Sequence, residues 1–226
     1  MQEKTILFVI CTNNEELFAQ CQRQIHNLFV PPGYRIQILP IYGAKSMTSA
    51  YNQAISHPAK YKVYLHQDTF IIDRNVAIYL IDLFTKNEKL GLIGVAGCQS
   101  LPASGIWWEG KNLVAQVIEY RGQNYQLLNL EQPFYKSKTF LSVEAIDGLF
   151  MATQYDIPWR EDVFDGFHFY DISQSMEFRK AGYLIGISTQ KAPWCIHYNG
   201  DEFDAVAYEK YRRKFVEHYM KPLFSL

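Results

Sequence analysis

Thr5-Ile6-Leu7-Phe8-Val9-Ile10-Cys11-Thr12-Asn13-Asn14-Glu15-Glu16 is the stretch that decides the fold class. Residues 5–11 form a continuous apolar run rich in β-branched side chains, the pattern of a parallel strand buried on both faces. Thr12, Asn13 and Asn14 follow as helix-cap candidates. Glu15 and Glu16 suit the positive end of a helix that runs to about Leu28. A strand that passes through a short polar turn into a helix is the opening of an α/β unit.

The same alternation continues outward. Pro31-Pro32-Gly33 breaks the helix. Residues 34–41 read as a second strand, and 46–56 as a helix with Met47, Ala50, Tyr51 and Ala54 on one face. Residues 62–65 read as a third strand, 75–87 as a helix and 90–96 as a fourth strand. This order predicts a mostly parallel central sheet with helices on both faces. The pattern changes after Gly97. A long loop over 99–111 carries Trp107 and Trp108, and a hairpin spans 114–130 around Gly122. Strands over 143–146 and 149–152 flank Asp147-Gly148. A helix over 170–181 stops at Gly182, a strand covers 183–187, and a terminal helix covers 205–219. No repeat or linker interrupts this series, so the expectation is a single domain over 1–226 with two functional halves.

Composition narrows the function. The chain has 226 residues, 48% of them hydrophobic and 20% charged, which excludes a disordered protein. Its formal net charge of -1 argues against a nucleic-acid partner, because phosphate binding wants a basic excess. Aromatic residues make up 15%, which suits either a large aromatic core or a sugar-stacking surface. The cysteines Cys11, Cys21, Cys98 and Cys195 show no CxxC spacing, and free thiols in a reducing cytosol are expected. The apolar run at 6–10 is far shorter than the ~20 residues a membrane span needs. A soluble cytoplasmic protein follows, with membrane contact at most peripheral.

In open α/β sheets, ligands bind beyond the carboxyl ends of the strands. Three polar clusters fall there: 11–15, 41–46 and His66-Gln67-Asp68. There is no GxGxxG and no GxxxxGK[ST], which disfavours a dinucleotide fold and a P-loop. Asp68 is either a ligand for a divalent cation or a turn cap. Asp171, in Phe167-His168-Phe169-Tyr170-Asp171, is either a general base at a cleft edge or a helix cap. His197, in Cys195-Ile196-His197-Tyr198-Asn199-Gly200, is either a ligand or a packed histidine. Trp107 and Trp108 either stack on a bound sugar or pack down their loop.

Taken in order, these pieces resemble the nucleotide-sugar-dependent glycosyltransferases of the GT-A fold, family 2 type. The likeness is greatest to the branch named for the streptomycin-biosynthesis protein StrF. It rests on Cys11-Thr12-Asn13-Asn14-Glu15, Ala50-Tyr51-Asn52-Gln53-Ala54-Ile55 and Leu65-His66-Gln67-Asp68. It continues through Asp147-Gly148-Leu149-Phe150-Met151-Ala152, Phe169-Tyr170-Asp171 with Arg179 and Ala181-Gly182-Tyr183, and His197-Tyr198-Asn199-Gly200.

The resemblance implies an inverting transfer of sugar from a nucleoside-diphosphate sugar to a carbohydrate or glycolipid acceptor, assisted by Mn²⁺ or Mg²⁺. Residues 1–98 would be the nucleotide-binding half and 99–226 the acceptor and catalytic half, around a mostly parallel sheet with a small antiparallel acceptor-side portion. Thr12, Asn14 and Glu15 would line the base pocket, and Gln67 would contact ribose or phosphate. Asp68 and His197 would hold the metal, and Asp171 would be the catalytic base. Gly148 would let the backbone approach donor or acceptor sugar closely; beside what the resemblance implies, Trp107 and Trp108 are the candidates for stacking on that sugar. The chain also departs from the family pattern. His66-Gln67-Asp68 has one acid where a common DxD has two, and position 170 is tyrosine where many relatives carry glutamate. A non-catalytic nucleotide- or sugar-binding relative is therefore the alternative. The missing QxxRW argues against a processive polysaccharide synthase.

In the terminal helix, Phe203, Ala207, Tyr211, Phe215 and Tyr219 form a stripe at i, i+4 spacing. The expectation is that it packs on the preceding strands and thereby brings His197 near Asp68. The basic neighbours Lys210, Arg212, Arg213, Lys214 and Lys221 leave an anionic membrane surface as the competing reading.

Overall fold

The computed structural model describes residues 4–130, 139–198, 200 and 203–221. Asn199, part of the His197-to-Gly200 motif, lies outside the described residues.

The opening stretch folds as its sequence dictates. Strand β1 (Lys4–Thr12) leads into helix α1 (Glu15–His26), where the Asn14 side chain accepts from the backbone N–H of Glu16 and Leu17. Strand β2 (Tyr34–Tyr42) and helix α2 (Met47–Asn52) follow, the helix opened by a capping box between Ser46 and Ser49. α2 is shorter than the expected 46–56. Past Asn52 the backbone tightens into i→i+3 bonds, such as Ile55 N–H to the Asn52 carbonyl, ahead of Pro58. Next come β3 (Tyr61–His66), β4 (Thr69–Ile71) and α3 (Val76–Lys86).

The apolar run at 90–96 is not one strand. It divides at Val95 into β5 (Leu90–Gly94) and β6 (Ala96–Ser100), which belong to different sheets. β7 (Lys111–Arg121) and β8 (Asn124–Asn129) form the expected hairpin. Gly122 and Gln123 both have positive φ, 53° and 66°, as a tight two-residue turn requires. Then follow β9 (Phe140–Val143), β10 (Ala145–Ile146), β11 (Phe150–Thr153), α4 (Tyr170–Lys180), β12 (Leu184–Ser188), β13 (Cys195–His197) and α5 (Ala205–Phe215). A π-helical turn over Val216–Met220 extends α5.

Among the described residues, the main sheet has the order β2-β1-β3-β11-β5-β12-β9. β2, β1, β3, β5 and β12 run one way. β11 and β9 run against them, so the sheet is mixed. The antiparallel part is larger than expected. A second sheet has the order β10-β6-β7-β13-β4, with β8 added to β7. Ile6, Phe8 and Ile10 of β1 pack with residues of α1 and α3, whereas Leu7 and Val9 pack with residues of α2. Helices therefore cover both faces, and the strands are buried from each side.

The C-terminal stripe is buried at Tyr211, Phe215 and Tyr219, but Ala207 is half-buried and Phe203 is 61% exposed. The stripe packs on the 163–169 loop and α4 rather than on strands. Phe215 lies against Phe169 at 5.6 Å, and Tyr219 and Ser173 share a 2.9 Å hydrogen bond. The basic residues pair locally: Arg212 and Arg213 with Glu209, and Lys214 with Asp165. No helix among the described residues is long and apolar enough to cross a membrane.

Candidate active site

Gln67 and Asp68 form the turn between β3 and β4, and their side chains serve different neighbours. Gln67 Oε1 accepts from Thr12 Oγ1 at 2.8 Å and from the N–H groups of Asn13 and Asn14, each at 3.0 Å. Its Nε2 donates to Asn13 Oδ1 at 2.6 Å. The amide thus ties the β1–α1 turn to the end of β3. Asn14 uses its own side-chain oxygen as the α1 cap, and Glu15 stands exposed in the first turn of α1.

Asp68 meets two imidazoles. His66 Nδ1 lies 3.9 Å and His197 Nε2 3.7 Å from Asp68 Oδ1. His197 arrives through strand pairing and not through the C-terminal helix. It sits opposite Thr69 in the β13–β4 ladder, and Tyr198 N–H donates to the Asp68 carbonyl at 2.8 Å. Neither β4 nor β13 was expected from sequence. His66 completes the cluster, although sequence reasoning assigns it no role of its own. Its signal was the motif itself, in which the imidazole stands where an acid commonly does. One ligand atom from each of His66, Asp68 and His197 falls within 4.8 Å of the others. The Asp68 Oδ1 atom is buried and has no hydrogen-bond partner among the described residues. An oxygen left this way costs energy unless something cationic completes it. Two imidazoles and one carboxylate, too far apart to hydrogen-bond and too close to be unrelated, fit a divalent cation of the first transition row better than Mg²⁺. Burial lowers the His66 pKa, with the Asp68 charge opposing that effect. A neutral imidazole is the form that ligates.

The second chemical group sits at the start of α4. Phe169 takes a left-handed conformation, φ 61°, immediately before Tyr170 and Asp171. Such a backbone is costly for a bulky residue and persists where the surroundings enforce it. Here it aims both side chains into the cleft. Asp171 Oδ2 accepts from Gly148 N–H at 2.9 Å. Asp147, which sequence reading did not single out, is its acidic neighbour. Asp147 Oδ1 accepts from Leu149 N–H at 2.8 Å and Oδ2 from the Trp107 indole at 3.1 Å. Burial, and next the charge of Asp147, push the Asp171 carboxyl up to about 7; the backbone N–H groups around it, that of Gly148 included, work in the opposite direction.

Gly148 is a glycine for a packing reason. A Cβ there would lie 2.1 Å from the Tyr170 hydroxyl. Its expected place against a sugar is thus taken on that side by a phenol. Trp107 is buried, with its indole N–H committed to Asp147. It is not the open stacking face that the sequence allowed. Trp108 is 47% exposed and its ring lies 5.6 Å from that of Tyr208.

His66, His197, Asp147, Asp171, Trp108 and Tyr208 border one cleft of about 770 Å³. A smaller cavity of about 250 Å³ opens beside it between the ends of β1 and β2, with Thr12, Gly43, Met47, Gln67 and Asp68 in its wall. His66 and Phe167 belong to both.

A model of a family described as "Glycosyltransferase like family" matches residues 7–219. No curated protein matches the chain in sequence. Three solved structures share its fold at low identity. One is a mannosyltransferase from Pyrobaculum calidifontis in complex with GDP-Man and Mn²⁺, with TM-score 0.59 and 13% identity, covering 100% of this chain and 66% of that one. Another is TarS residues 1–349 of S. aureus, with TM-score 0.53, 10% identity and coverage of 99% and 74%. The third is GalNAc-T7 with UDP, GalNAc and Mn²⁺, with TM-score 0.62, 11% identity and coverage of 96% and 48%. The chain thus spans between about half and three quarters of these proteins.

Proposed function

The chain belongs to the glycosyltransferase like family and has the GT-A fold, and from that premise we propose that it is an inverting glycosyltransferase. The donor is a nucleoside-diphosphate sugar and the acceptor a hydroxyl of a carbohydrate or glycolipid. The order of its motifs supports a place in the StrF-like branch, as one domain with a donor half at 1–98 and an acceptor half at 99–226. Its four unpaired cysteines suit the reducing cytoplasm.

One observation carries this reading: His66 and His197 of the cluster border the same cleft as the Asp171 carboxylate, and Asp68 stands in the wall of the adjoining small cavity, which shares His66 with that cleft. The small cavity beside Thr12 and Gln67 takes the nucleobase, which leads the diphosphate to His66, Asp68 and His197. Those three residues would hold Mn²⁺, which offsets the charge that builds on the leaving diphosphate. Asp171 takes the proton of the acceptor hydroxyl as its oxygen bonds to the anomeric carbon. The bond from that carbon to the diphosphate oxygen breaks with its electron pair, and the sugar inverts. A carboxylate held near 7 is well matched to this task, since a base works best near the ambient pH. Trp108 and Tyr208 offer the acceptor their ring faces.

The test is a thermal-shift screen of UDP, GDP and their sugars, with and without Mn²⁺. A ligand at 100 times its dissociation constant stabilises the fold by about 2.7 kcal/mol, which is easily read. The expected result is a Mn²⁺-dependent shift that Asp68→Asn diminishes. No shift with any nucleoside diphosphate in Mn²⁺ overturns the proposal, and an undiminished shift in the variant removes Asp68 from the site.

A further inference from the structure

Tyr170 makes contacts that a mere core tyrosine does not need. It is the first residue of α4 and is buried. Its ring is wedged between Tyr51, at 5.9 Å, and Trp159, at 6.1 Å. Its hydroxyl occupies the space that a side chain at position 148 would fill, and it hydrogen-bonds His66 Nε2. The ring cannot swing away, so the hydroxyl is a fixed point against which His66 is oriented. Of the two imidazole nitrogens, Nε2 is thereby engaged and Nδ1 is the one that lies beside Asp68.

We infer that Tyr170 is a positioning residue for the cation site, holding His66 through Nε2 so that Nδ1 is the atom offered to the metal. The inference rests on the metal reading above and adds to it an atom and a partner. The proton count is consistent. A neutral imidazole carries one N–H, and a hydroxyl both donates and accepts. When Nδ1 carries the hydrogen, Tyr170 donates to Nε2. When Nδ1 gives its lone pair to a cation, the hydrogen sits on Nε2 and Tyr170 accepts. The same pair of atoms serves both states with the direction of the bond reversed, and no side chain has to move. Partners that fix the far nitrogen of a ligating histidine typically change metal affinity by about 10–100-fold when removed. Tyr170 also precedes Asp171 directly, so the helix that carries the base is pinned to the residue that orients the donor's cation.

The experiment uses the full chain and Mn²⁺ alone, with binding read from the loss of the free-Mn²⁺ paramagnetic resonance signal. Wild type is compared with Tyr170→Phe, whose folding is checked by circular dichroism. The expected result is a dissociation constant about 10–100-fold higher in the variant. A second measurement needs no variant: nitrogen NMR of the wild-type histidines during titration with diamagnetic Zn²⁺. It should show His66 bound through Nδ1 with the hydrogen on Nε2. Equal Mn²⁺ affinity in a folded variant, or Zn²⁺ on Nε2 of His66, overturns the role of Tyr170 while leaving the metal site standing. A wild-type protein that binds neither ion overturns both.

Discussion

Replacing Asp171 by asparagine is expected to stabilise the fold at neutral pH while removing the proposed base. The Asp171 carboxyl stands at about 7 against an ordinary 3.8, a rise of about three pH units caused by burial and by Asp147. A folded state that holds its proton more tightly than the unfolded chain gains stability from the neutral form. That gain is complete below about 4 and is lost as the pH climbs through 7. At 1.36 kcal/mol for each pH unit, ionising Asp171 at pH 8 costs at most about 4 kcal/mol. The side chain is only half-buried, so solvent screening roughly halves this, to about 2 kcal/mol. Asparagine never ionises, and its oxygen still accepts from Gly148 N–H. For a protein of this size, about 2 kcal/mol corresponds to a rise of about 4–8 °C in Tm. Scanning calorimetry of the metal-free proteins should find that rise at pH 8 and almost none at pH 4. An equal or lower Tm for the variant at pH 8, or the same gain at both pH values, refutes the electrostatic argument. Sugar transfer at the wild-type rate would remove Asp171 from the chemistry.

Two further predictions concern the scaffold. Lys62 is almost fully buried, and its ammonium is held by Asp156 and the Ile55 carbonyl. Asp156→Ala should cost about 2–3 kcal/mol in urea unfolding, somewhat under the usual penalty for a stranded buried charge because Asp156 is itself 43% exposed; Lys62→Met should be nearly neutral, and the opposite ranking would show that the pair is not what matters. Phe215, with no exposed surface, fills the gap beside Gly105, so Phe215→Ala should cost about 3–5 kcal/mol by the same assay, and a loss under 1 kcal/mol would mean that the C-terminal helix is not anchored by its stripe.

What sequence could deliver follows the range of the forces involved. β1, the Gly122 turn and the stop at Gly182 are decided within a few residues and follow the expectation, and the α1 cap falls on Asn14, one of the three candidates the sequence offers. The break at Val95 was invisible, because an apolar run looks the same whether its two ends join one sheet or two. The direction of β11 was equally hidden, since alternation of side chains says nothing about which way a neighbour runs. β4 and β13 have three residues each and exist through their pairing across more than a hundred positions. The carboxylates Asp68 and Asp171 and the imidazole of His197 could be named from motifs. Asp147 could not be given a role, because its importance comes from Trp107 on one side and Asp171 on the other, and neither contact is local.

The position of β11 carries a consequence for synthesis. Strands β1, β2 and β3 complete their mutual pairing once residue 66 has been made. β5 is different: its neighbours are β11 and β12, at 150–153 and 184–188. As the chain leaves the ribosome, Leu90–Gly94 therefore waits with both of its edges unpaired through the addition of some sixty residues. Every residue of that strand is buried in the finished protein. An apolar strand exposed for that interval is an invitation to pair with another nascent chain. The corner formed by β1, β2 and β3 thus takes shape early, and β11, the strand that joins it to β5, is also the one that ends the period of greatest vulnerability to aggregation.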